Sequence, residues 1–148
     1  MPYANLRIGR YSASGMTYHI TTVTKNRMPL FLDLSAARVV VRQLKAFQDE
    51  GLAETLSYVL MPDHLHWLMT LRSGELPGVM RLLKGRTAHA IGSPIWQPNY
   101  HDHAVRRDED LRVLARYIVA NPLRAGLVER IGDYPWWDSI WLDAALSG

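Results

Sequence analysis

A chain of 148 residues with a net charge of +3 and no cysteine has the size of one domain around one hydrophobic core, and it excludes disulfide frameworks and all thiolate chemistry. A hydrophobic share of 48% against 21% charged residues suits a soluble globular protein. No apolar run reaches the length of a membrane span and no signal-peptide h-region opens the chain, so a cytoplasmic, bacterial-type protein without membrane association is expected. The charge is unevenly distributed. Residues 1–30 hold Arg7, Arg10, Lys25 and Arg27 and no acid, while residues 81–130 hold nine Lys or Arg against five acids. With five Trp and seven Tyr in the chain, this fits either an ordinary solvated surface or the combination of cations and rings that single-stranded nucleic acid demands.

In chain order, residues 1–16 read as irregular, and Thr17 to Thr24, dense in β-branched and aromatic side chains, predicts a first strand. Asp33 is placed to cap a helix over Leu34 to Glu50, whose Val40, Val41, Leu44 and Phe47 recur at helical spacing, and Gly51 ends it. Glu54 to Met61 predicts a second strand, Pro62-Asp63 a turn, and His64 to Leu71 a third strand. A second helix is expected over Leu76 to Ile91 and a fourth strand over Ile95 to Val105. A third helix is expected to begin at Asp108, with Leu111, Leu114, Ala115, Ile118 and Val119 as its apolar stripe. The order β-α-β-β-α-β followed by a helix predicts an α+β fold of ferredoxin-like type, one antiparallel sheet with an added C-terminal helix, in a single domain over 1–148. The tail from Asp133 is expected to fold back on this body.

The stretch with most chemical content is His64-Leu65-His66 inside the third strand. Alternation puts both imidazoles on one face and Leu65, Trp67 and Met69 on the other, and two neutral imidazoles one pleat apart can share a divalent cation. They can equally be two satisfied histidines, and His101-Asp102-His103 has the same spacing. On the third helix Tyr117 lies off the apolar stripe with Asn121 one turn further along the same face. A hydroxyl and an amide oxygen could thus face a metal held by two histidines; alternatively Asn121 caps a short turn begun by Pro122.

With these pieces in order the chain resembles the single-tyrosine transposases of the HUH nuclease superfamily, and most closely their REP-associated, IS200-like branch. The resemblance rests on Tyr18-His19-Ile20-Thr21, Arg27-Met28-Pro29-Leu30-Phe31, Tyr58-Val59-Leu60-Met61-Pro62-Asp63-His64-Leu65-His66, Trp96-Gln97, Tyr100-His101-Asp102-His103 and Tyr117-Ile118-Val119-Ala120-Asn121-Pro122-Leu123-Arg124-Ala125-Gly126. It implies His64 and His66 as the metal pair, which sets His101 and His103 aside by analogy. It further implies Tyr117 as nucleophile and Asn121 at the position of a third polar ligand, where the superfamily commonly has Gln. The cofactor implied is Mg2+ or Mn2+, and the activity is cutting and rejoining of hairpin-flanked (REP-like) single-stranded DNA through a 5′-phosphotyrosine, by a monomer associated with the nucleoid. Lys25, Arg27, Lys84, Arg106 and Arg124 are the expected contacts to the DNA backbone, with Trp96 or Tyr100 stacking a base. The rival from another class is a non-catalytic or domesticated single-strand binder on the same sheet. A hydrolase using both His-x-His pairs is a further rival, but the barrel such enzymes use needs roughly 250 residues.

Overall fold

The computed structural model describes residues 15–106 and 110–141. Five strands, β1 (Thr17–Val23), β2 (Ala53–Met61), β3 (His64–Leu71), β4 (His101–Ala104) and β5 (Trp137–Ser139), form one antiparallel sheet in the order β4-β1-β3-β2-β5. Four helices accompany it: α1 (Leu34–Asp49), α2 (Leu76–Ile91), α3 (Leu111–Val119) and the single turn α4 (Asn121–Arg124). Because β3 is antiparallel to both β1 and β2, β1 and β2 are parallel with β3 between them. This is the split β-α-β of a ferredoxin-like sheet, extended by β5 at the β2 edge.

The sheet is covered differently on its two faces. Alternation sends Leu65, Trp67, Met69 and Leu71 of β3 and Ile20 of β1 toward α1 and α2, where they meet Val40, Leu44, Phe47, Val79 and Leu83. Trp67 is fully buried, stacks on Phe47 with ring centroids 6.0 Å apart, and donates its indole N–H to Thr55 Oγ1 at 2.9 Å. Each such buried side chain contributes about 1.5–3 kcal/mol. On the opposite face Ala115 and Ile118 of α3 pack on Leu56, Val59, Met61 and Leu68. His64 and His66 share that second face, because they are in phase with Leu68.

Local signals explain most element ends. The Asp33 carboxylate accepts from Ser35 N at 2.8 Å and caps α1, and Gly51 follows the helix at φ +75°, a conformation that suits glycine. Asp110 caps α3 through Arg112 N at 2.9 Å; the start expected at Asp108 lies outside the described residues. The fourth strand departs from expectation. Of Ile95 to Val105 only His101–Ala104 pairs with β1, and Trp96 makes one isolated bridge to Thr24. Gln97 N also donates to Val23 O at 2.8 Å, but Pro94 and Pro98 cannot donate to a ladder, so continuous pairing with β1 begins only after the second proline. The tail folds back as β5 against Ser57 to Val59, with Tyr134 donating its hydroxyl to Leu60 O at 2.6 Å. None of the described helices is long and apolar enough to cross a membrane.

Candidate active site

Strand β3 delivers the histidine pair, and its neighbours fix both rings. The His64 and His66 rings lie edge to face with centroids 4.9 Å apart. Asp63, in the turn before β3, stands 2.7 Å from His64 Nδ1 through Oδ1, and its other oxygen accepts from Arg27 at 3.0 Å. Burial alone would push the Asp63 carboxyl up, but the hydrogen bonds and positive charge of His64 and Arg27 outweigh it and hold the group below the usual carboxylate range. Across the sheet, β1 places Thr21 opposite His66, so that His66 Nδ1 lies 3.2 Å from Thr21 Oγ1 and 3.1 Å from His19 Nε2. Burial, followed by the neighbouring His64, His19 and Arg124, pushes His66 down to about 3, so its ring is neutral at physiological pH. Burial and then His103 lower His19 as well.

Both ligand candidates therefore have Nδ1 engaged, an arrangement that leaves Nε2 as the nitrogen available to a metal. Among the described residues no three His, Cys, Asp or Glu side chains come together in a way that could hold a metal ion. A cation on this pair would need donors of another type. Asn121 supplies one in kind: its Nδ2 donates to Ile118 O at 2.9 Å, which leaves the carbonyl oxygen of the amide for another partner. Its route there differs from expectation. The helix stops at Val119, Ala120 caps it, and Asn121 opens α4; Asn121 is thus neither one turn along an unbroken α3 face nor a side-chain cap. Two imidazoles and one amide oxygen are a donor set that suits a divalent cation with open coordination positions.

Tyr117 is 58% exposed on α3. The guanidinium carbon of Arg124 sits 3.9 Å from the centre of its ring, and the same charge is felt at His66. The short break at Ala120 makes this contact: α4 turns Arg124 back over the face of α3 that carries the tyrosine. Nucleophile candidate and histidine pair thus share one cation, a group expected only as a DNA contact.

Two residues expected on DNA are used elsewhere. Trp96 is 5% exposed, lies 5.4 Å from Phe31 between ring centroids and donates its indole N–H to Thr87 Oγ1 at 3.0 Å. It is a core residue in the layer of α1 and α2, so the expectation that it stacks a base is corrected. Lys84 directs its ammonium at the carbonyls of Gln97, Pro98 and Asn99 at 2.8, 2.8 and 3.3 Å, which occupies its three protons and lowers its pKa through burial. It clamps the loop before β4 rather than presenting charge to a phosphate. Lys25 and Arg106 are exposed beside the strand ends, and Tyr100 packs at the edge of the core with Lys84 5.5 Å from its ring centre. Sequence reasoning passed over His19, Thr21 and Asp63. The signal was present in β1, where alternation puts His19 and Thr21 opposite the face of buried Tyr18 and Ile20.

The family model described as "Transposase IS200 like" matches residues 12–121. The chain is 31% identical over 130 residues to the REP-associated tyrosine transposase of Escherichia coli, a match spanning 86% of this chain and 78% of that one. The solved structure of a REP-associated tyrosine transposase bound to a REP hairpin superposes with a TM-score of 0.76 at 28% identity, covering 93% of this chain and 81% of the other. A crystal structure from Deinococcus radiodurans, at 21% identity and a TM-score of 0.54 over 82% of this chain and 97% of that one, shares the fold. Taken with the histidine pair and the exposed tyrosine, these likenesses establish that the chain belongs to the IS200-like transposase family, among its REP-associated tyrosine transposases.

Proposed function

We propose that this transposase cuts and rejoins single-stranded DNA beside hairpin elements, as a monomer at the nucleoid, with Tyr117 as nucleophile and His64, His66 and Asn121 as the ligands of Mg2+ or Mn2+. The observation that carries the reading is the histidine pair with both Nδ1 atoms engaged, together with an exposed tyrosine whose ring faces Arg124, the residue whose charge also reaches His66. When bound, the cation would polarise a non-bridging oxygen of the scissile phosphate. Tyr117 Oη attacks phosphorus as the P–O3′ bond breaks; the phenolic proton passes to solvent water and the departing 3′ oxygen takes one up from water, leaving as a hydroxyl. One phosphodiester replaces another, so no nucleotide fuel is required, and a second 3′-hydroxyl reverses the step to join a new strand.

Arg124 has two tasks in this scheme. Its charge would oppose the negative charge growing on the phosphate oxygens, and its contact with the ring restrains Tyr117. The phenol is a weak nucleophile until it loses its proton. Lys25 and Arg106 would contact the flanking backbone. The hairpin as partner is supported by the neighbour solved with a REP hairpin.

The test is incubation with labelled single-stranded hairpin DNA and Mn2+, followed by denaturing electrophoresis. A covalent protein–DNA band from the wild type that disappears in Tyr117→Phe and His64→Ala is the expected result. Tight DNA binding with no band from any hairpin substrate would replace this reading by a non-catalytic binder.

A further inference from the structure

Between β1 and α1 the chain passes through Lys25–Arg27, a tight turn in which two consecutive non-glycine residues adopt positive φ, Asn26 at 54° and Arg27 at 51°. Asparagine tolerates this region and arginine rarely enters it. The turn is pinned from both ends. Lys25 N donates to Ile95 O at 2.8 Å, Arg27 N to Thr24 O at 3.1 Å and Met28 N to Lys25 O at 3.1 Å. Thr24 Oγ1 donates to Met28 O at 2.7 Å, and Thr24 N to Asp63 O at 2.9 Å.

The conformation points the guanidinium of Arg27 at one oxygen of Asp63, whose other oxygen holds His64 Nδ1. The Arg27 side chain is 64% exposed, and an exposed ion pair contributes less to stability than left-handed backbone at two such residues costs. The ion pair therefore does not account for the strain by its own stability, and an outlier of this kind beside the candidate site points to function. A carboxylate only accepts hydrogen bonds, so the hydrogen at the Asp63–His64 contact is on Nδ1, and a neutral ring held this way has its lone pair on Nε2.

We infer that the Lys25–Arg27 turn is a positioning device for the metal, in which Arg27 orients Asp63 and Asp63 fixes the tautomer and ring of His64, so that Nε2 is presented to the cation. This rests on the metal reading above. Arg27 and Asp63 touch neither metal nor DNA in this role; they act through His64. It also reassigns Arg27 from the DNA-contact role that its charge alone suggested.

The experiment is calorimetric titration of Mn2+ into the metal-free full chain, paired with long-range 1H–15N NMR of its histidines. Arg27→Gly is the informative variant, because glycine accepts a φ near +51° without strain and the turn should survive with an unchanged melting temperature. Asp63→Ala should weaken Mn2+ about 10- to 100-fold, the usual cost of removing a group that orients a ligand histidine, and Arg27→Gly by a smaller factor. In both, the His64 signals should move from a pure Nδ1–H tautomer toward a mixture. Wild-type protein that takes up no Mn2+ overturns the metal reading and the inference with it. Binding that is lost in His64→Ala but intact in Arg27→Gly and Asp63→Ala, with the His64 tautomer unmoved, overturns the inference alone.

Discussion

Arg124 is the residue on which most of the proposed chemistry converges, since its guanidinium covers the Tyr117 ring and its charge reaches His66. Removing one preorganised charge of this kind costs roughly 10²–10³ in turnover. Arg124→Ala is therefore expected to slow formation of the covalent adduct by about 10²-fold while DNA binding weakens far less. Arg124→Lys should recover only part of the rate, because a point charge lacks the planar stacking surface. Single-turnover cleavage with saturating hairpin DNA measures this; equal losses in binding and rate would reduce Arg124 to a backbone contact. His66 supports a second expectation, for the metal-free protein. Its folded value of about 3 lies far below the ordinary histidine value of 6.5, so the folded ring stays neutral where the unfolded ring takes up a proton. The stability this contributes is complete above pH 6.5 and is lost as pH falls toward 3. Melting curves between pH 7 and about 5.5, a window in which ordinary carboxylates remain largely ionised, should fall more steeply for wild type than for His66→Gln. Parallel curves would mean that His66 is solvated and not held neutral by its neighbours.

At the scale of elements, what the sequence made legible depended on whether a segment's local signals agreed with its tertiary setting. β3 and α2 fall at the expected residues, because alternation in one and a bounded helical stripe in the other leave no competing reading. β4 was overextended, since Trp96 and Tyr100 look like strand residues while Pro94 and Pro98 force the chain to bury Trp96 first and pair later. The break at Ala120 was missed for a different reason. Pro122 lies close enough to α3 to end it, yet helical periodicity runs on through Asn121, so the geometry of Asn121 and Arg124 was not readable from spacing. The loop before β4 gives a test of the correction to Lys84. Its three carbonyl contacts are hydrogen bonds to a charged donor, each worth about 1.5–3 kcal/mol in favourable cases, less where water competes. Lys84→Met should lower the melting temperature while leaving single-strand DNA affinity, and its salt dependence, at the wild-type level. A reduced salt slope with unchanged stability would return Lys84 to the DNA-contacting set.

For the molecule as a whole, the unequal covering of the two sheet faces decides which histidines can work as ligands. α1 and α2 close one face, whereas α3 packs over β2 and β3 on the other, which leaves the β4 side of that second face to solvent. Pairing across β1 and β4 sets His101 opposite Thr21 and His103 opposite His19, so both His-x-His motifs share one sheet face, which their spacing in the sequence did not reveal. They differ in setting. His64 and His66 lie in a central strand, are half-buried, and have Asp63, Thr21 and His19 holding their Nδ1 atoms. His101 and His103 are exposed on an edge strand, and among the described residues no third His, Asp or Glu joins either pair in metal-binding geometry. A cation on the outer pair would have to order more exposed side chains, at an entropic cost that the more buried inner pair has largely met in folding. Mn2+ should accordingly bind at one equivalent per chain. A His101→Ala, His103→Ala double variant is expected to keep that stoichiometry with affinity changed less than about threefold, whereas His64→Ala abolishes binding; a tenfold change is 1.4 kcal/mol, so calorimetry resolves the two cases. Two equivalents in wild type, falling to one in the double variant, would mean that the outer pair is a metal site in its own right.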